Sequence, residues 1–349
     1  MRLHSLSHLL CVAVGLAAIG DARVHAENGE PLKVVATVPD LGDLVRRVGG
    51  DQVVVTVLVK GAEDPHFAEA KPSFVKELSR ADMFVQVGME LETGYAPVLI
   101  KGANNARILP GAKGWVEVAE VITPLEVPTG TVDRSMGDVH PFGNPHFLLD
   151  PLDGLKVARL LAERLSALRP GKKAYFDENL AAFQKKIGVL LVGEKLAAKY
   201  DFEKLALLYE RGGLGAFLKE QGEEKLLGGW LGQLLPHYGA KAVGDHNLWP
   251  YFAQRFGIRL VGYLEPKPGV QPSTKYLAEM VNTMKAENVT LLLRSPYFDE
   301  KHSRFVADKS GAKVVVMAHQ VGCVEGANDY LAMVQYNVLR LAAALEGKQ

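Results

Sequence analysis

The sequence predicts an α/β protein made of two doubly wound α/β lobes, joined by a long helical spine, with a ligand cleft between the lobes. Three observations predict it. Short β-branched runs alternate with helical patterns from residue 33, the same alternation returns from residue 241, and an extended helical stretch separates the two. Strands alternating with helices imply a parallel sheet covered on both faces, because each crossover lays a helix against the sheet.

In the first lobe, residues 34–38 read as a strand, and Pro39 opens a helix that Gly49-Gly50 stops. Residues 53–59 give a second strand, 72–78 a helix and 83–87 a third strand. The spine begins with a helix over 152–168, broken by Pro170-Gly171. Residues 173–199 then carry Ala, Leu, Phe and Lys at helical spacing with no internal proline. Such a helix extends ~40 Å at about 1.5 Å per residue, long enough to run along both lobes. In the second lobe, strands are expected over 241–243, 258–263, 289–293 and 313–317. Helices are expected there over 248–256, 274–286, 299–309 and 329–345. Residues 201–239 scatter glycines among helix formers and read as a helical insertion. The expected divisions are a leader at 1–26, a first lobe at 27–168, a linking spine at 169–200 and a second lobe at 201–349.

The leader reading rests on Arg2, His4 and His8 ahead of an apolar run over 9–19, with Val24-His25-Ala26 as a small-residue cleavage point. The run is too short to span a bilayer, so a cleaved signal peptide and a periplasmic protein are expected. Cys11 lies inside the run with apolar residues after it, which argues against a lipoprotein junction. Cys323 is then the one remaining cysteine, excluding an internal disulfide or a multi-cysteine metal site. Lys+Arg and Asp+Glu number 40 each, so no net basic charge points to nucleic acid.

Beyond the leader stand His66, His140, His146, His237, His246, His302 and His319. His66, His246 and His319 fall in loops after strands, where doubly wound sheets place their ligand crevice, and His146 opens a helix by a Pro-His step like that of His66. Neutral imidazole is a ligand for zinc, copper, iron and nickel, and a tetrahedral site of such nitrogens favours zinc over magnesium or calcium. A single loop histidine is more often a cap than a ligand. His237 and His302 lack the setting and are assigned to surface or packing.

The order of motifs adds a resemblance. Ala36-Thr37-Val38-Pro39, Asp64-Pro65-His66, Lys71-Pro72-Ser73, Asn144-Pro145-His146, Gly244-Asp245-His246 and Tyr336-Asn337 together resemble the zinc/manganese class of ABC-importer solute-binding proteins, over nearly the whole chain after the leader. The resemblance implies metal ligation by His66, His146 and His246, with His319 at the fourth position, where the family often has a carboxylate. Glu325 and Asp329 are the substitutes. Four imidazoles leave the full dication charge and favour Zn2+, whereas carboxylates favour Mn2+. Asp64 and Asp245 are candidates to orient an imidazole through its second nitrogen, and His140 is an auxiliary candidate. Asn144 stands where the family usually has Asp. Arg294-Ser295-Pro296 stands where many members carry Glu-Pro, so a supporting carboxylate is missing there.

The expected function is therefore capture of zinc in the interlobe cleft and delivery to an ABC importer permease, by a monomer that is not an enzyme. Manganese or iron in the same role, a zinc-dependent hydrolase and a metal-dependent adhesin are the alternatives. Neither a His-Glu-x-x-His helix nor a nucleophile elbow occurs, which disfavours the hydrolase.

Overall fold

The computed structural model describes residues 29–130, 137 and 139–347, and the leader expected over 1–26 lies outside them. In the first lobe, β1 (Leu32–Ala36), β2 (Val53–Val57), β3 (Met83–Gln86) and β4 (Trp115–Glu117) alternate with α1 (Pro39–Gly49), α2 (Pro72–Arg80) and α3 (Ala96–Ala103). The strands pair in parallel in the order β2-β1-β3-β4. Pro39, Pro72 and Pro97 each sit in a first helical turn, where the ring's fixed φ fits and the missing N–H costs nothing. Neither β4 nor α3 was expected. Three residues cannot display a period of two, and Pro97 and Gly102 weaken the helical pattern of α3.

Next come α4 (Pro151–Leu168), α5 (Lys173–Val192), α6 (Glu194–Lys199), α7 (Phe202–Glu210), α8 (Leu214–Gln221) and α9 (Gly229–Leu234). The single helix expected over 173–199 is in fact two. Gly193 takes φ +86° between α5 and α6, and a Cβ there would stand 3.0 Å from the backbone of Gly228. The helical pattern is continuous in sequence, but this close approach and the Gly228 N–H donating to the Val192 carbonyl turn the chain. The remaining helix α5 has 20 residues, roughly 30 Å of rise. Residues 201–239 are helical, and their helices pack on α5, on α10 (Pro250–Phe256) and on α13 (Tyr330–Leu345).

The second lobe repeats the first. β5 (Lys241–Gly244), β6 (Arg259–Tyr263), β7 (Leu291–Arg294) and β8 (Lys313–Val316) pair in parallel in the order β6-β5-β7-β8. Helices α10, α11 (Thr274–Ala286) and α12 (Glu300–Ser310) connect them, and α13 follows.

Strand periodicity decides which core each side chain joins. In β1 and β3, Val34, Ala36, Met83 and Val85 point into a central core, while Val35 and Phe84 point to an outer layer under α2 and α3. In β7, Leu291 and Leu293 enter the same central core, and Leu292 joins the outer layer under α11 and α12. The inner faces of both sheets thus share one apolar core with α4, α5 and α13.

At the carboxyl ends the lobes meet backbone to backbone. A Cβ on Gly61, in the loop after β2, would lie 2.4–2.6 Å from the Val321 and Gly322 main chain. The Gln320 amide beside it donates to the carbonyls of Lys60, Gly61 and Glu63. In both sheets the crossover direction reverses between the two central strands, and the crevice above that reversal is where such sheets bind ligands.

Candidate metal centre

Three histidines meet in that crevice. His66 arrives in the loop after β2, His146 in the loop before α4, and His246 directly after β5. One ring nitrogen from each lies within 4.8 Å of the others. The ring centroids are 5.2 Å (His66–His146), 5.9 Å (His66–His246) and 6.1 Å (His146–His246) apart, with steep interplanar angles of 66–77°. Rings crossing edge to face aim nitrogens at a common point rather than stacking.

Each histidine is held by its own short loop. The Asp64 carboxylate accepts both the His66 backbone N–H at 2.9 Å and the His66 Nδ1–H at 2.8 Å. Burial works to raise the Asp64 carboxyl, but the hydrogen bonds and charge of His66 outweigh it, and its pKa falls. Asn144 repeats the turn at the second Pro-His step, its side-chain oxygen accepting from His146 N at 2.9 Å. At the third histidine, which follows an Asp instead of a Pro, the Asp245 carboxylate accepts the His246 backbone N–H at 2.7 Å and the Ser295 N–H at 2.6 Å.

Asp245 therefore does not orient the His246 ring through its second nitrogen, as the sequence suggested. Its oxygens are taken by backbone donors and Trp249 Nε1, and burial pushes its pKa up to about 6. Glu265 orients the ring instead, accepting from Nδ1 at 2.6 Å while Gly269 N–H fixes the same oxygen at 2.9 Å. The signal for it was a Glu-Pro step, Glu265-Pro266, soon after β6. Nothing local in the sequence ties it to His246, 19 residues away. With Nδ1–H of His66 and of His246 committed to carboxylates, each Nε2 carries a lone pair, which at His66 is shared with His140 Nε2 and would have to be given up to a cation.

His140 and His319 are placed differently. His140 Nε2 lies 3.2 Å from His66 Nε2, and the rings are 5.3 Å apart. His319 is buried but outside the three-imidazole cluster: Nδ1 faces Ser295 Oγ at 3.3 Å, Nε2 faces the Glu63 carbonyl at 3.4 Å, and the ring packs edge-on against Tyr297. Burial, then the neighbouring His66, lowers His140 to about 4 and His146 well below the usual imidazole range. Burial likewise brings His319 to about 4. Imidazoles kept neutral in this way present lone pairs at neutral pH. Glu325 and Asp329 take no place in the cluster, and Asp329 caps α13 instead.

The mouth is a cavity of about 120 Å³ bordered by His140, His146, His246 and Glu126. Glu126 was not singled out from the sequence. Its carboxylate accepts from the Asn144 and Asn247 side chains at 3.1 and 2.7 Å, which ties the His146 loop to the second lobe. Asn rather than Asp at 144 fits this pairing, since two carboxylates would repel there.

Comparison with known proteins points the same way. Residues 34–197 and 231–344 match the family model of ZnuA, described as zinc-uptake complex component A, periplasmic. The manganese ABC transporter substrate-binding lipoprotein PsaA of Streptococcus pneumoniae serotype 4 is 22% identical over 347 residues, 99% of each chain. A zinc-bound deletion mutant of ZnuA superposes with TM-score 0.64 at 24% identity, covering 90% of this chain and 98% of that one. A manganese-bound periplasmic metal binding protein from Candidatus Liberibacter asiaticus gives TM-score 0.64 at 18% identity, covering 89% and 98%.

Proposed function

We propose a function on one premise: this chain belongs to the ZnuA family of substrate-binding components of metal ABC importers. It captures one divalent transition metal outside the cytoplasm and delivers it to a membrane permease, with zinc as the preferred ion. The observation that carries this reading is the convergence of three imidazole nitrogens, delivered by three separate loops, within 4.8 Å of one another.

The donor chemistry supports zinc. His66, His146 and His246 supply imidazole nitrogens, and the carboxylates of Asp64 and Glu265 are engaged with Nδ1 atoms rather than free to ligate. An all-imidazole tetrahedral set suits zinc, at about 2.0–2.1 Å per nitrogen. His140, in contact with His66 and bordering the same cavity as His146 and His246, is the better placed of the two candidates for a fourth donor, because His319 stands outside that cavity against Ser295 and the Glu63 carbonyl. Manganese in the same role is the second reading, favoured by what PsaA transports, but it would call for Asp64 or Glu265 to leave its histidine.

Transport rather than hydrolysis fits the surroundings. A metallohydrolase needs a base beside an open coordination position, and Asp64, Glu265 and Glu126 are each engaged by hydrogen bonds. A periplasmic location agrees with the family description, and among the described residues no helix is long and apolar enough to cross a membrane.

The test is thermal unfolding of the metal-stripped protein with added ions. A ligand that binds only the folded state stabilises by RT ln(1 + [L]/Kd), about 4 kcal/mol at a thousandfold excess over Kd. Zinc should raise the unfolding midpoint more than manganese at equal concentration. No rise with any divalent transition metal would overturn the reading.

A further inference from the structure

Away from the histidines, the first lobe contains a cavity of about 600 Å³ at the carboxyl ends of β3 and β4, bounded by α3. Its volume is that of a small-molecule site, and its position is where a parallel sheet receives ligands. The walls are largely apolar: Ile100 of α3, Leu109, Trp115 of β4 and Phe142. Leu109 and Phe142 stay 42% and 61% exposed, unusual for large apolar side chains facing a shared hollow.

The floor is a built turn. Gly88, Met89 and Glu90 all take positive φ (91°, 53° and 66°), and two of the three carry side chains that disfavour it. The buried Glu92 carboxylate holds this turn by accepting from Val87 N at 2.7 Å, Gly88 N at 3.0 Å and Thr37 Oγ1 at 2.7 Å. A strained turn locked in this way is characteristic of ligand clamps. Charge gives the ligand class. Glu90 and Glu117 border the cavity against one cation, Lys101, and Gln86 donates to Glu117 and fixes its carboxylate at the end of β4. The rings of Trp115 and Phe142 offer further faces attractive to a cation.

We propose that this cavity is a second binding site, for a small amphipathic amine whose aromatic or branched alkyl body lies against Ile100, Leu109 and Trp115 and whose ammonium meets Glu117 and Glu90. The cavity adjoins the histidine cluster through the Met89 main chain, which partners His140, and its test needs no metal.

The metal-stripped full chain is titrated with 2-phenylethylamine and, separately, with 3-phenylpropionate, which has the same body and the opposite charge. Binding is read by tryptophan fluorescence and by the unfolding midpoint. The amine should give a saturable fluorescence change and a higher midpoint, and the acid neither. Trp115→Phe should abolish the fluorescence change, because Trp230 and Trp249 are fully buried elsewhere. Glu117→Gln should weaken the amine about tenfold, the loss expected for one charge-assisted contact. The assignment is overturned by no saturable response to the amine, by equal binding of the acid, by a signal that survives in Trp115→Phe, or by unchanged affinity in Glu117→Gln.

Discussion

Glu265 shows how much of the centre depends on a residue that need not touch the ion. Its carboxylate sets the His246 tautomer from behind, at 2.6 Å from Nδ1, as Asp64 does for His66 at 2.8 Å. Such supporting groups are typically worth 10–100-fold in metal affinity. Glu265→Gln should therefore weaken zinc by roughly that factor in a competition titration, with little change in unfolding of the metal-free protein. The fourth position is tested by a pair of variants. His140→Ala should weaken zinc at least tenfold and His319→Ala by less than threefold, on the scale where about 1.4 kcal/mol is tenfold. A reversed order would return the fourth position to His319. The placement of histidines after strands and at Pro-His steps pointed to His66, His146, His246 and His319 alike, because short Asx-type turns are local, and the resemblance alone set the first three apart. Neither could rank His140 against His319, or find Glu265, because their distances to the cluster depend on how separate loops pack.

At the scale of elements, the loops after the strands are set by buried polar groups with titratable character. Asp40, in the first turn of α1, is buried; Oδ2 accepts weakly from Val321 N at 3.4 Å and Oδ1 has no partner. Burial pushes its pKa from 3.8 up to about 7. A folded-state pKa above the unfolded one means that the folded chain takes up this proton first as pH falls. The contribution of Asp40 to stability is thus most favourable below about pH 4 and is lost as pH rises through about 7. Asp40→Asn removes the buried charge. The stability of the variant relative to the parent should accordingly rise with pH by on the order of 1 kcal/mol per pH unit between pH 5 and about 6.5, and level off above pH 7. A pH-independent difference would contradict the assignment. The helices and most strands were legible because their periodicity and proline starts are local. The break at Gly193 was not, because it answers to Gly228, 35 residues on.

For the whole molecule, two sheets with inner faces in one core limit how far the lobes can part. Their rims are also latched. Asp150, the cap of α4, is held by the Arg255 guanidinium of α10 at 2.9–3.0 Å, and Glu210 of α7 pairs with the same guanidinium at 3.2 Å. The 201–239 segment thereby reaches the base of the His146 loop, a connection absent from its sequence pattern. The alternation of strands and helices did reveal the two lobes, and their parallel sheets put the post-strand histidines at one crevice. The proposed function requires this crevice to hold one zinc ion in a shell of imidazole nitrogens. X-ray absorption of the zinc-loaded protein at one ion per chain tests it most directly. About four nitrogen scatterers near 2.0 Å with the outer-shell pattern of imidazole are expected. A five- or six-coordinate shell dominated by oxygen would contradict it.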